Sequence, residues 1–86
     1  MTDDLKPGLP VSGYRPQSDA NIALVNEFKA DEERLLRKID ALYGALSIHY
    51  DQRWLSIART HFQEGFMALN RAVFQPQRIK LPEDDE

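Results

Sequence analysis

The sequence predicts an all-α fold, an antiparallel hairpin of two long helices with an extended N-terminal arm, assembled as a compact homo-oligomer. Three observations predict it. Apolar residues recur at alternating three and four residue steps over two long stretches, 18–46 and 51–75, which is the period of a helix face. A short connection joins those stretches, so two helices of similar length must fold back on each other. On the second stretch the apolar arc covers near half the helix circumference, more than the stripe of about 100 degrees that one packing partner needs. A chain of 86 residues without cysteine has no disulfide to supplement a small core, and oligomerisation remains as the source of cover. The expected organisation is a flexible tail at 1–11, an arm plus hairpin at 12–82 and an acidic tail at 83–86.

The N-terminal 17 residues contain Pro7, Pro10 and Pro16 with Gly8 and Gly13, which reads as an extended arm with turns. Within it, Val11–Pro16 (VSGYRP) sets an aromatic ring beside a guanidinium, between a permissive glycine and a rigid proline. Tyr14 and Arg15 suit stacking on a base, docking on a neighbouring subunit, or simple packing. Ser18 is a good N-cap, and Asp19 places a negative charge in the first turn. From there Asn21, Val25, Phe28, Glu32, Leu35, Ile39, Leu42 and Leu46 form one seam. Glu32 interrupts that seam, and Lys29 at i−3 is its simplest ion-pair partner. Gly44 and the run Ser47, Ile48, His49, Tyr50 mark the end of this helix and the connection, and Asp51 caps the next one.

Leu55, Ala58, Phe62, Gly65, Leu69 and Ala72 form the seam of the second helix, with Trp54, Ile57, His61 and Ala68 on one flank and Phe66 and Val73 on the other. Ala58, Gly65 and Ala72 lie seven apart, leaving one line of the surface without bulk. Glycine inside a helix costs roughly 1 kcal/mol relative to alanine, so Gly65 points to close approach of a partner backbone. The polar face carries Arg53, Arg59, Thr60, Gln63, Glu64, Asn70 and Arg71, a solvated face by default but one with donors suited to phosphates and base edges.

Composition narrows the function. The net charge is −3 and no segment forms a basic block, which argues against duplex nucleic acid as a partner. A small phosphate ligand needs only one or two well-placed basic side chains. The N-terminus MTDDLKPGLP lacks the pattern of a signal peptide, and no apolar run is long enough for a bilayer, so a soluble cytoplasmic protein, away from membranes, is expected. No catalytic motif, metal-ligand cluster or cofactor loop is found. His49 and His61 are the two histidines, and His61, on the apolar arc near Trp54, reads as a hydrogen-bonded packing residue. A non-catalytic binding protein is expected.

GYRPQS, the helical ALVNEFKADEERLLRKID, then RWLSIARTHFQEGFMALNRAVFQP and the closing KLPEDD together resemble the phage anti-CBASS cyclic-oligonucleotide sponges and their shared hairpin domain, from about Ser12 to Asp85. The resemblance implies a hexamer of small helical hairpins. It implies sequestration of cyclic di- and trinucleotide second messengers without cleavage, which withholds the signal from bacterial immune effectors. On the matching positions, Tyr14 is the arm tyrosine that stacks on a base of a cyclic dinucleotide and Lys29 the first-helix lysine that contacts it, with Ser12 and Arg15 beside them and a second protomer closing the pocket. Arg71 is similar to the arginine of a separate three-fold site for cyclic trinucleotides, with Thr60 and Asn70 as further contacts. Two phosphates and two flat bases require at least a cation and a stacking ring, which Lys29 and Tyr14 supply. From another class, a helical-hairpin interaction module could use the same apolar arc to bind a host protein.

Overall fold

The computed structural model describes residues 11–43 and 49–85. Two helices make the fold: α1, Asp19–Asp40, and α2, Gln52–Phe74. Both start where their capping residues require. Ser18 has extended backbone and its Oγ accepts from the Asn21 N–H at 3.1 Å; the Asp51 carboxylate accepts from the Trp54 N–H at 3.1 Å. Each cap satisfies one of the donors that a helix start leaves without an internal partner. Asp19 in the first turn of α1, and Arg37 and Lys38 in its last, complement the helix dipole.

Contacts at both ends fix the antiparallel arrangement. Near the connection, the Arg59 guanidinium meets the Asp40 carboxylate at 3.0 Å and the Tyr43 and Ser56 hydroxyls lie 3.2 Å apart. At the opposite end, the Gln17 amide just before α1 donates to the Phe74 carbonyl at 2.9 Å, in the last turn of α2. The Arg59–Asp40 pair is partly exposed and contributes modestly to stability, but it ties the end of α1 to one register of α2.

The first helix ends earlier than its apolar repeat suggests. It stops at Asp40, and the i→i−3 bonds Leu42 N–H to Ile39 O (2.9 Å) and Tyr43 N–H to Asp40 O (3.2 Å) wind the following residues into a tighter turn. Gly44, Leu46, Ser47 and Ile48 lie outside the described residues. α2 ends at Gln75, whose φ of 46° and ψ of 58° are left-handed and whose N–H donates to the Arg71 carbonyl at 2.7 Å. The acidic end is more than solvated coil. Pro82–Asp85 form a 3₁₀ turn in which Asp84 accepts from the Leu81 N–H at 2.8 Å and Lys80 pairs with Asp85 at 2.6 Å.

α1 turns its expected seam inward: Val25 and Ile39 are buried, and Asn21, Phe28, Glu32, Leu35 and Leu42 are half-buried. The ion pair expected between Lys29 and Glu32 does not form. Glu32 lies on the inner seam while Lys29 is exposed, and the carboxylates beside Glu32 are taken within the helix, Asp31 by Arg34 at 3.2 Å and Glu33 by Arg37 at 2.7 Å.

α2 departs further from expectation. Its inward row is Leu55, Arg59, Gln63, Phe66, Asn70 and Val73, again at helical spacing, whereas Phe62, Gly65, Leu69 and Ala72 of the apolar seam are exposed. Arg59, Gln63 and Asn70 thus leave the solvated face assigned to them. On that inward row the Arg59 guanidinium meets Asp40 and also reaches Gln63 Oε1 at 3.4 Å, so these two polar side chains find partners there. The apolar seam is left without a partner inside the chain.

Candidate ligand-binding site

The site is built at the open end of the hairpin, from the segment before α1 and the outer face of α1. Val11 to Tyr14 form a β-turn closed by the Tyr14 N–H to Val11 carbonyl bond at 3.3 Å. Gly13, third in the turn, has φ 92° while Ser12 keeps a negative φ, the signature of a type II turn. Ser12 is exposed at the corner, and the Tyr14 ring stands half in solvent at 50% exposure. Arg15 points back, its Nη1 donating to Gln75 Oε1 at 3.3 Å.

Lys29 is exposed on α1 and pairs with no described residue. It lies eleven residues beyond Ser18, roughly 16 Å along the axis at about 1.5 Å per residue. Tyr14 thus sits in the turn before α1 and Lys29 about three turns along that helix. A cavity of about 240 Å³ opens between the segment, the start of α1 and the end of α2, lined by Arg15, Gln17, Ser18, Asn21, Val73 and Phe74. Neither Tyr14 nor Lys29 lines it.

The second set of residues divides. Arg71 and Thr60 are exposed and, eleven residues apart, fall about 20 degrees from each other around α2 while lying roughly 16 Å apart along it. Asn70 is turned about 100 degrees away, onto the inward row, and its Oδ1 is buried with no hydrogen-bond partner. The chain thus presents Arg71 and Thr60 outward and keeps Asn70 within the hairpin. His61 also differs from expectation. Its side chain is 74% exposed, 3.5 Å from Glu64, and it rims a shallow apolar groove of about 160 Å³ with Phe62, Gly65, Phe66 and Leu69. Arg53 stacks over the Trp54 ring at 5.5 Å, and Trp54 itself is 60% exposed.

The family model of the Acb2/Tad1 hairpin domain matches residues 9–74, which takes in the turn, both helices and their connection. This chain belongs to the Acb2/Tad1 hairpin-domain family. Anti-CBASS protein 2 of Enterobacteria phage T4 is 35% identical over 91 residues, an alignment covering 90% of this chain and 97% of that relative. No solved structure matches the chain. The Acb2/Tad1 match begins just before the Val11–Tyr14 turn and ends with α2, so Tyr14, Lys29, Thr60, Asn70 and Arg71 all fall inside it.

Among the described residues no group of His, Cys, Asp or Glu could hold a metal ion, and no helix is long and apolar enough to cross a membrane. Sequence reasoning missed Gln17, Gln75 and Gln77 as partners of the segment before α1 in this Acb2/Tad1 hairpin. Single glutamines carry no periodicity, and a residue that bonds across 57 to 64 positions leaves no local pattern.

Proposed function

We propose that the protein is a phage immune-evasion factor that binds and sequesters cyclic di- and trinucleotide second messengers without cleaving them, and so keeps them from the effectors of bacterial CBASS immunity. The observation that carries this reading, within the family relation, is that a half-exposed aromatic ring and a lysine with no partner among the described residues are held outward on a chain whose other helical charges mostly have partners. Tyr14 stacks on a base, Lys29 meets a phosphate, and Ser12 and Arg15 border the ligand. With Tyr14 before the start of α1 and Lys29 roughly three turns along it, the pocket draws them from different copies.

That requirement agrees with the exposed seam of α2. Phe62 and Leu69 are 45% and 39% exposed, and among the described residues a β-carbon at Gly65 would meet nothing beyond its own helix backbone within 4 Å, so a second copy can lie close along this line. The assembly is a hexamer. At its three-fold axis Arg71 is present three times, so one arginine per chain meets three phosphates, with Thr60 beside it.

Calorimetric titration tests the dinucleotide site. Tyr14→Ala and Lys29→Ala should each weaken binding of cyclic GMP–AMP, a probe that carries both purines, while the oligomer stays intact by light scattering. A base-aromatic stack is worth about 1–3 kcal/mol, hence roughly ten- to a hundredfold in affinity for Tyr14→Ala. Unchanged affinity in both variants would remove the assignment.

A further inference from the structure

We propose that Gly13, Gln75 and Gln77 are positioning residues for Tyr14, forming a clamp between the turn before α1 and the chain leaving α2 that fixes the ring for its ligand. The inference rests on the reading that Tyr14 is a ligand contact.

The clamp holds Tyr14 from both sides. On its N-terminal side, the Gly13 carbonyl accepts from the Gln77 N–H at 2.6 Å. That approach requires glycine: a β-carbon there would lie 2.5 Å from the Gln77 carbonyl oxygen and 3.3 Å from Ile79 Cγ2, at a φ of 92° that other residues rarely adopt. On the C-terminal side, Arg15 donates to Gln75 Oε1 at 3.3 Å. Two residues on, the Gln17 amide donates to both the Phe74 carbonyl at 2.9 Å and the Arg15 carbonyl at 3.3 Å. The residues flanking Tyr14 are held, and its ring is left half in solvent.

Gln75 makes the clamp possible in an unfavourable conformation. It is left-handed, where glycine is the usual occupant, and Pro76 follows it. The left-handed step turns the chain off the helix axis, so that the Gln75 side chain reaches Arg15 and the Gln77 N–H, two residues on, reaches the Gly13 carbonyl. Glycine would satisfy the backbone at this position but could not accept from Arg15. A ring ordered beforehand loses less freedom on binding than a ring on a loose segment, so the clamp raises affinity without touching the ligand.

The test uses the full chain with Gly13→Ala, Gln75→Gly and Tyr14→Ala, titrated with cyclic GMP–AMP and melted in parallel. Gly13→Ala and Gln75→Gly should each weaken binding about tenfold or more, as expected when preorganisation is lost. Gln75→Gly relieves the left-handed strain, so its Tm should equal or exceed the parent's while its affinity falls. A merely structural role would move Tm and affinity down together, and that result overturns the proposal. Parent-like binding by both clamp variants, with binding lost in Tyr14→Ala, also overturns it and leaves the ligand role of Tyr14 standing. Parent-like binding by Tyr14→Ala overturns the reading of Tyr14 and the clamp with it. If Gly13→Ala fails to fold, Gln75→Gly alone decides.

Discussion

Asn70 and Arg71 are neighbours in sequence with opposite fates, and each yields a test. The Asn70 side chain faces α1 with a buried Oδ1 that has no hydrogen-bond partner. A buried acceptor left unpaired costs about 1–3 kcal/mol, and leucine is also the better helix former. Asn70→Leu should therefore raise Tm, by about 4–8 °C for each kcal/mol recovered in a domain of this size. A Tm below the parent's in a thermal melt would contradict the unpaired assignment. Arg71 is exposed, and at the proposed three-fold pocket its removal would take three charges at once. Arg71→Ala should abolish binding of cyclic tri-AMP while leaving cyclic GMP–AMP binding at Tyr14 and Lys29 intact, with the converse in Tyr14→Ala. Titration of both ligands against both variants distinguishes two sites from one: loss of both ligands in an Arg71→Ala protein of parent size would show that the sites are shared.

At the scale of the helices, the exposed seam of α2 is the feature with consequences. Among the described residues, and apart from the helix's own adjacent backbone, nothing lies within 4 Å of a β-carbon at Gly65, so Gly65→Leu can be accommodated in a single hairpin but not where a second copy packs closely. Overpacking such a contact costs about 1–3 kcal/mol, multiplied over the copies in an assembly. Gly65→Leu should lower the mass measured by light scattering, and the emission of Trp54, the single tryptophan, should report any change in its surroundings. Parent mass and a parent melt would contradict the close approach. The helices themselves were legible in the sequence. Ser18 and Asp51 are the caps, and the α1 seam from Asn21 through Leu42 faces inward as its spacing indicates. The inner row of α2 was not, because periodicity shows which residues share a face but not what covers that face. The pairing of Arg59 with Asp40, on an inward row that also carries Gln63 and Asn70, is a tertiary fact with no local signal. The same holds for the contacts of Gly13 with Gln77 and of Arg15 with Gln75, whose partners lie at opposite ends of the chain.

For the molecule as a whole, Val25 and Ile39 are the only buried apolar side chains among the described residues, and ten large apolar residues are exposed, Trp54 and Met67 at 60% and 69%. The radius of gyration is 18.4 Å, against about 12 Å for a compact domain of this length. So small a core is what the proposed assembly would supplement. In the proposed assembly the Tyr14 of one copy meets the Lys29 of another, which would make stability and ligand binding depend on one set of contacts. Binding without turnover is the central claim, and one measurement tests it most directly. The purified protein is loaded with cyclic GMP–AMP, separated from unbound nucleotide and heated, and the released material is identified by mass spectrometry. Sequestration predicts intact cyclic dinucleotide in the amount that was bound; linear dinucleotide in the eluate, or no retained nucleotide at all, would contradict it.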